Sequence, residues 1–190
     1  MMVALHLQEH RQPDALAEQV KVHVIQGEFH VSADPDLMMT TILGSCVSAC
    51  VRDPEAGVGG MNHFLLPGEE GEGGLRYGVQ AMELLVNGLL RRGARRDRLE
   101  AKLFGGGRMF NGLADVGQQN AAFAERFLRD EGIRMAGGSL RGDRARRIQF
   151  WPVSGRARQI LLNPTDARVV AAERRQPVAP TPDSGGLELF

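Results

Sequence analysis

Only two stretches of this chain carry the apolar period of a helix. Val79, Met82, Leu85, Val86, Leu89 and Leu90 fall on one helical face, followed by Arg91-Arg92 and a Gly93 C-cap. Phe123, Phe127 and Leu128 mark a second helix from near Asn120 to Asp130. The other apolar segments are short and bounded by glycine, proline or aspartate: residues 22–25, 37–43, 47–51, 58–66 and 99–104, then 133–140, 147–153 and 157–162. Strands thus come in runs before, between and after the helices. A doubly wound sheet would alternate them regularly. The pattern predicts an α+β fold with layered mixed or antiparallel sheets and outer helices.

At 190 residues, the chain is sized for one domain with a substantial core. Residues 1–20 read as a polar extension and 21–172 as the domain. Residues 173–190, with Pro177, Pro180, Pro182 and Gly185-Gly186, read as a disordered tail. Leu187, Leu189 and Phe190 are too few for a core and leave a docking motif as the alternative reading. The glycine- and glutamate-rich residues 68–74 read as a loop.

The formal net charge is zero, so composition calls for neither nucleic acid nor an anionic membrane. No apolar stretch approaches the roughly 20 residues of a bilayer span, and the N-terminal residues lack the apolar core of a signal peptide. Direct membrane insertion is not expected. Two cysteines without a secretion signal argue against a disulfide framework and make a reducing cytoplasm the expected compartment.

Those cysteines differ. Cys46 follows a Gly44-Ser45 turn between two strand-like segments, where a thiol can be held rigidly and still be reached. Gly44 permits close approach of a substrate, and successive N–H groups in such a turn can hold an oxyanion. Cys50 lies inside the alternating segment with no flanking glycine and reads as a packing residue. A Cys46–Cys50 metal pair lacks further cysteine ligands, so zinc is a poor reading and no cofactor is expected. His63, in Gly59-Gly60-Met61-Asn62-His63, is the imidazole that an apolar strand can bring beside the Cys46 turn. Thr40 or Thr41, just before that turn, can hydrogen-bond the ring and fix its tautomer. His6, His10, His23 and His30 receive no role. Gly105-Gly106-Gly107 lacks the lysine of a phosphate loop and reads as a structural turn. Residues 141–147, rich in arginine, read as a solvated turn, with an anion or receptor patch as the alternative.

Leu43-Gly44-Ser45-Cys46-Val47, Arg52-Asp53-Pro54 and Met61-Asn62-His63 with Leu66-Pro67 together resemble the CheD family of chemoreceptor glutamine deamidases. The agreement runs on through Arg98-Leu99-Glu100-Ala101-Lys102, Gly105-Gly106, Met109-Phe110, Gly117 with Asn120, and Gly137-Gly138 with Arg144, covering about residues 22–170. The resemblance implies a fold similar to bacterial toxin deamidases. It places the catalytic cysteine and histidine on Cys46 and His63 and the catalytic threonine on Thr40. It also implies hydrolysis of glutamine side chains in methyl-accepting chemotaxis receptors, with a CheC-like phosphatase as a possible partner. A glutamate methyl ester offers the same electrophile with a better leaving group, so receptor methylesterase activity is an expected side reaction. The alternatives are an adaptor that binds receptor or phosphatase without turnover and a general cysteine hydrolase, which the resemblance disfavours.

Overall fold

The structure, a computed structural model, describes residues 20–66, 72–109 and 115–163. The expectations for most of the N-terminal extension, for the tail and for residues 68–71 lie outside them. In chain order the elements are β1 (Lys21–His23), β2 (Phe29–Ser32), β3 (Met38–Leu43), β4 (Val47–Asp53), β5 (Val58–Asn62), α1 (Glu72–Leu90), a 3-10 turn (Arg96–Arg98), β6 (Glu100–Gly105), α2 (Val116–Asp130), β7 (Arg134–Leu140), β8 (Arg146–Phe150) and β9 (Ala157–Leu161).

They form two mixed sheets. One has five strands in the order β2-β5-β4-β6-β7, and the other has four in the order β1-β3-β8-β9. Within them β6–β7 and β1–β3 pair parallel; the other pairs are antiparallel. Helix α1 packs on β2, β4 and β5, and α2 packs on β4, β6 and β7. Both helices therefore cover one face of the larger sheet, and the smaller sheet covers the other. The fold is α+β, in three layers.

Two apolar cores follow from this layering. Val47, Ala49 and Val51 of β4 meet Met82, Leu85, Val86, Leu89, Leu103, Phe123 and Leu128 beneath the helices. Between the sheets, Met39 and Leu43 of β3 and Ile148 and Phe150 of β8 meet Cys46, Cys50, Met61 and Phe104. Each fully buried large apolar side chain contributes about 1.5–3 kcal/mol of transfer free energy.

Three sequence expectations are corrected. The alternation of Val47, Ala49 and Val51 with Ser48, Cys50 and Arg52 suits a half-buried strand, but only Arg52 along β4 is not fully buried, because layers cover both of its faces. Helix α1 begins at Glu72, inside the expected glycine loop. Packing of Met82, Leu85, Val86 and Leu89 on the sheet outweighs the poor helix propensity of Gly73 and Gly74. Strand β2 was not anticipated; it is a short edge strand whose register, Phe29 opposite Asn62 to Ser32 opposite Gly59, depends on β5.

Candidate active site

Cys46 stands at the entry to β4, and His63 stands just past the end of β5. The β4–β5 ladder pairs Cys50 with Met61, and its register continues to an isolated bridge between Val47 and Phe64. Side chains alternate across a strand, so Cys46, Ser48 and Cys50 share one face of β4 while Met61 and His63 share the same face of the neighbouring strand. Cys46 and His63 are diagonal neighbours on this face, a separation that long side chains span. Both are buried, Cys46 at only 3% exposure, in the space between the sheets.

Thr41 reaches the ring from the opposite sheet. Its Oγ1 lies 2.8 Å from His63 Nδ1, and the Val24 carbonyl oxygen lies 3.4 Å from the same nitrogen. A carbonyl can only accept, so a proton on Nδ1 serves both contacts and places the basic lone pair on Nε2. The residues leave Thr40 or Thr41 for this contact, and the family resemblance places the catalytic threonine on Thr40. Thr40 Oγ1 instead donates to the Ile148 carbonyl at 2.7 Å. Strand parity explains the correction: Thr41 faces the other sheet with Met39 and Leu43, and Thr40 faces away.

The turn that carries the thiol is fastened from behind. Gly107 N donates to Gly44 O and Gly106 N to Cys46 O, both at 2.8 Å. Asn120, fully buried on α2, donates from Nδ2 to Ser45 O at 2.9 Å. Its Oδ1 accepts from Leu66 N at 2.8 Å. One side chain thus joins the cysteine turn to the segment after His63. The glycines are needed for this fit. Gly105 has φ +108°, and a Cβ there would sit 2.1 Å from Cys46 O; a Cβ on Gly117 would sit 2.4 Å from Gly107 O. The Gly105-Gly106-Gly107 run is a structural turn, as expected, and its structural task is to hold the cysteine turn.

Cys50 is different in kind. Burial pushes its thiol up to about 12, against weaker opposing effects of the Ser48 hydroxyl and Lys102. Such a thiol stays protonated and inert.

The arginine-rich segment is more than a solvated turn. Arg146 is 2% exposed, with its guanidinium bonded to Ser139 O and Oγ and to the carbonyls of Arg141 and Arg144. Arg141 pairs with Glu125 at 2.7 Å.

Sequence reasoning missed Asn120 and Gln26 as site residues. Asn120 had a readable signal, as a polar residue on the apolar face that carries Phe123, Ala124 and Phe127. Gln26 had none. It belongs to an exposed turn, and only the fold brings its Oε1 to 3.6 Å from Cys46 Sγ.

A buried thiol and a tautomer-fixed imidazole on adjacent strands define a site suited to nucleophilic thiol chemistry. A family model described as CheD chemotactic sensory transduction matches residues 65–163, beginning just after His63. Several relatives carry the name "Probable chemoreceptor glutamine deamidase CheD". That of Caulobacter sp. (strain K31) is 64% identical, covering 90% of this chain and 93% of its own. That of Acidiphilium cryptum is 60% identical over 90% and 93%, and that of Rhizobium meliloti 57% over 90% and 96%. The chain belongs to the CheD family. Among solved structures, a Neisseria meningitidis protein of the DUF152 family aligns with TM-score 0.46 at 12% identity, over 65% of this chain and 64% of that one. No helix among the described residues is long and apolar enough to cross a membrane.

Proposed function

We propose that this protein hydrolyses glutamine side chains of methyl-accepting chemotaxis receptors to glutamate, with Cys46 as nucleophile and His63 as acid and base. The observation that carries the reading is the shared inter-sheet face of Cys46 and His63, with Thr41 holding the ring at Nδ1. The relatives' shared name supports the choice of substrate.

In this reading the Cys46 thiolate adds to the carboxamide carbon. His63 Nε2, carrying the thiol proton, gives it to the nitrogen as the carbon–nitrogen bond breaks, and ammonia leaves. Water then adds to the thioester while His63 takes its proton. The carbon–sulfur bond breaks, leaving glutamate and the thiolate. The carbonyls of Gly44 and Ser45 point toward the Gly107 and Asn120 donors. In a trans peptide the next N–H points the opposite way, so the N–H groups of Ser45 and Cys46 are directed away from that wall and suit an oxyanion.

A glutamate methyl ester presents the same electrophile with a better leaving group, so methylesterase activity belongs to the same reading. So does fold kinship with bacterial toxin deamidases. A CheC-like phosphatase remains a proposed partner. The adaptor reading has one observation in its favour, the 3% exposure of Cys46. Incubation with a purified receptor cytoplasmic fragment separates the two. Deamidation releases ammonia and converts glutamine to glutamate in the peptide mass spectrum; an adaptor binds and does neither.

A further inference from the structure

Gln26 sits on the turn of residues 25–28, where Glu28 N donates to Ile25 O at 3.0 Å and Gly27 has φ +90°. The turn is tied to the histidine strand by Gly27 N to His63 O at 2.8 Å and by His63 N to Glu28 O at 3.0 Å. Its backbone is therefore fixed, while the Gln26 residue is exposed. From there the side chain reaches inward, and Oε1 accepts from Cys46 Sγ at 3.6 Å. An exposed residue thus places its amide end on a sulfur whose own residue is 3% exposed.

We propose that the Gln26 carboxamide occupies the subsite of the substrate's amide, so that an incoming glutamine side chain must displace it to reach Cys46. The identity of the displacing group rests on the deamidation reading; the covering of the thiol does not. Gln26 offers the same neutral carboxamide as the proposed substrate, with the same donors and acceptor. A thiol–amide hydrogen bond is weak, and a long side chain on an exposed turn can swing out while the turn's backbone bonds to Ile25 and His63 stay in place. Substrates without a primary carboxamide or a comparable ester gain nothing in exchange for the contact they displace. Gln26 would in this way select among side chains as well as cover the sulfur. The competing role is a catalytic one, with the Gln26 amide N–H groups stabilising the oxyanion. The two roles predict opposite effects of removing the side chain.

The test uses the full chain, wild type and Gln26→Ala, with iodoacetamide alkylation of Cys46 followed by peptide mass spectrometry and Cys50 as internal reference. Gln26→Ala should alkylate at least about twofold faster, the low end of what one net hydrogen bond supplies. Propionamide, a small primary carboxamide, should protect Cys46 in Gln26→Ala more strongly than in wild type. On receptor fragment, KM should fall with kcat unchanged. An unchanged alkylation rate, or equal protection of both proteins by propionamide, would overturn the proposal. So would a fall in kcat at constant KM, which assigns Gln26 to catalysis. Faster alkylation in a chain whose wild type releases no ammonia would defeat the deamidation reading alone, and the propionamide comparison would still decide the subsite.

Discussion

The two faces of β4 teach what this fold separates. Toward the helices the strand presents Val47, Ala49 and Val51, at 0% exposure, against leucine, phenylalanine and methionine. Toward the second sheet it presents Ser48 and Cys50, with Cys46 at its entry. The helix face is packed mainly by volume, with buried Asn62 as a polar tie that accepts from Ala49 N at 2.9 Å and donates to Ala81 O at 3.1 Å. The inter-sheet face gathers Thr41, His63 and Gln26 around the cysteine turn, each with a hydrogen-bond partner there. Position along that second face matters as much as the face itself. At the strand's entry, Cys46 is reached by a surface side chain; within the strand, Cys50 is sealed and pushed up to about 12.

That division can be broken most sharply at the imidazole. His63→Ala should lower receptor deamidation by about 10²- to 10⁴-fold, the usual share of acid–base catalysis, with circular dichroism unchanged. A smaller loss would take His63 out of the mechanism. On the helix face, Leu103→Ala should cost about 2–5 kcal/mol in urea unfolding through loss of buried volume. The turnover of its folded fraction should stay near wild type; a loss of turnover at full folding would show that the faces are not separable.

How much of this could be read beforehand depended on whether a contact was local. The amphipathic face of α1 and the glycine-flanked Cys46 were legible because period and turn chemistry lie within a few residues. The burial of β4 on both faces was not, since its alternation of Val47, Ala49 and Val51 with Ser48, Cys50 and Arg52 fits a half-buried strand until a second sheet covers the other side. The same limit left the threonine open. Which of two adjacent threonines faces His63 is a matter of parity between sheets, and the family resemblance pointed to Thr40. Gln26 depends on a turn hydrogen-bonded to a strand far along the chain, a relation no local pattern carries.

The threonines sharpen the comparison further. Thr41→Val keeps the shape and removes the hydroxyl from His63 Nδ1, so the pH–rate profile should shift and turnover should fall. Thr40→Val removes only the bond to Ile148 O and should cost about 1 kcal/mol of stability with an unshifted profile. The reverse pattern would restore Thr40 to the site.

The smallest effect belongs to Cys50. Its folded thiol is raised from 9.0 to about 12, so the folded protein keeps a proton that the unfolded chain gives up. The resulting stability is complete below about 9 and is lost as pH rises toward 12. Cys50→Ser should therefore retain activity and show a shallower alkaline fall in unfolding midpoint. Complete inactivation would move the nucleophile from Cys46.

The most direct measurement follows receptor glutamines by mass spectrometry, alongside ammonia release, for wild type and Cys46→Ala at matched concentration. The mechanism predicts conversion of particular glutamines to glutamate with stoichiometric ammonia in wild type, and neither in a folded Cys46→Ala protein. Equal conversion by both proteins, or none by a folded wild type that still binds receptor, would contradict it.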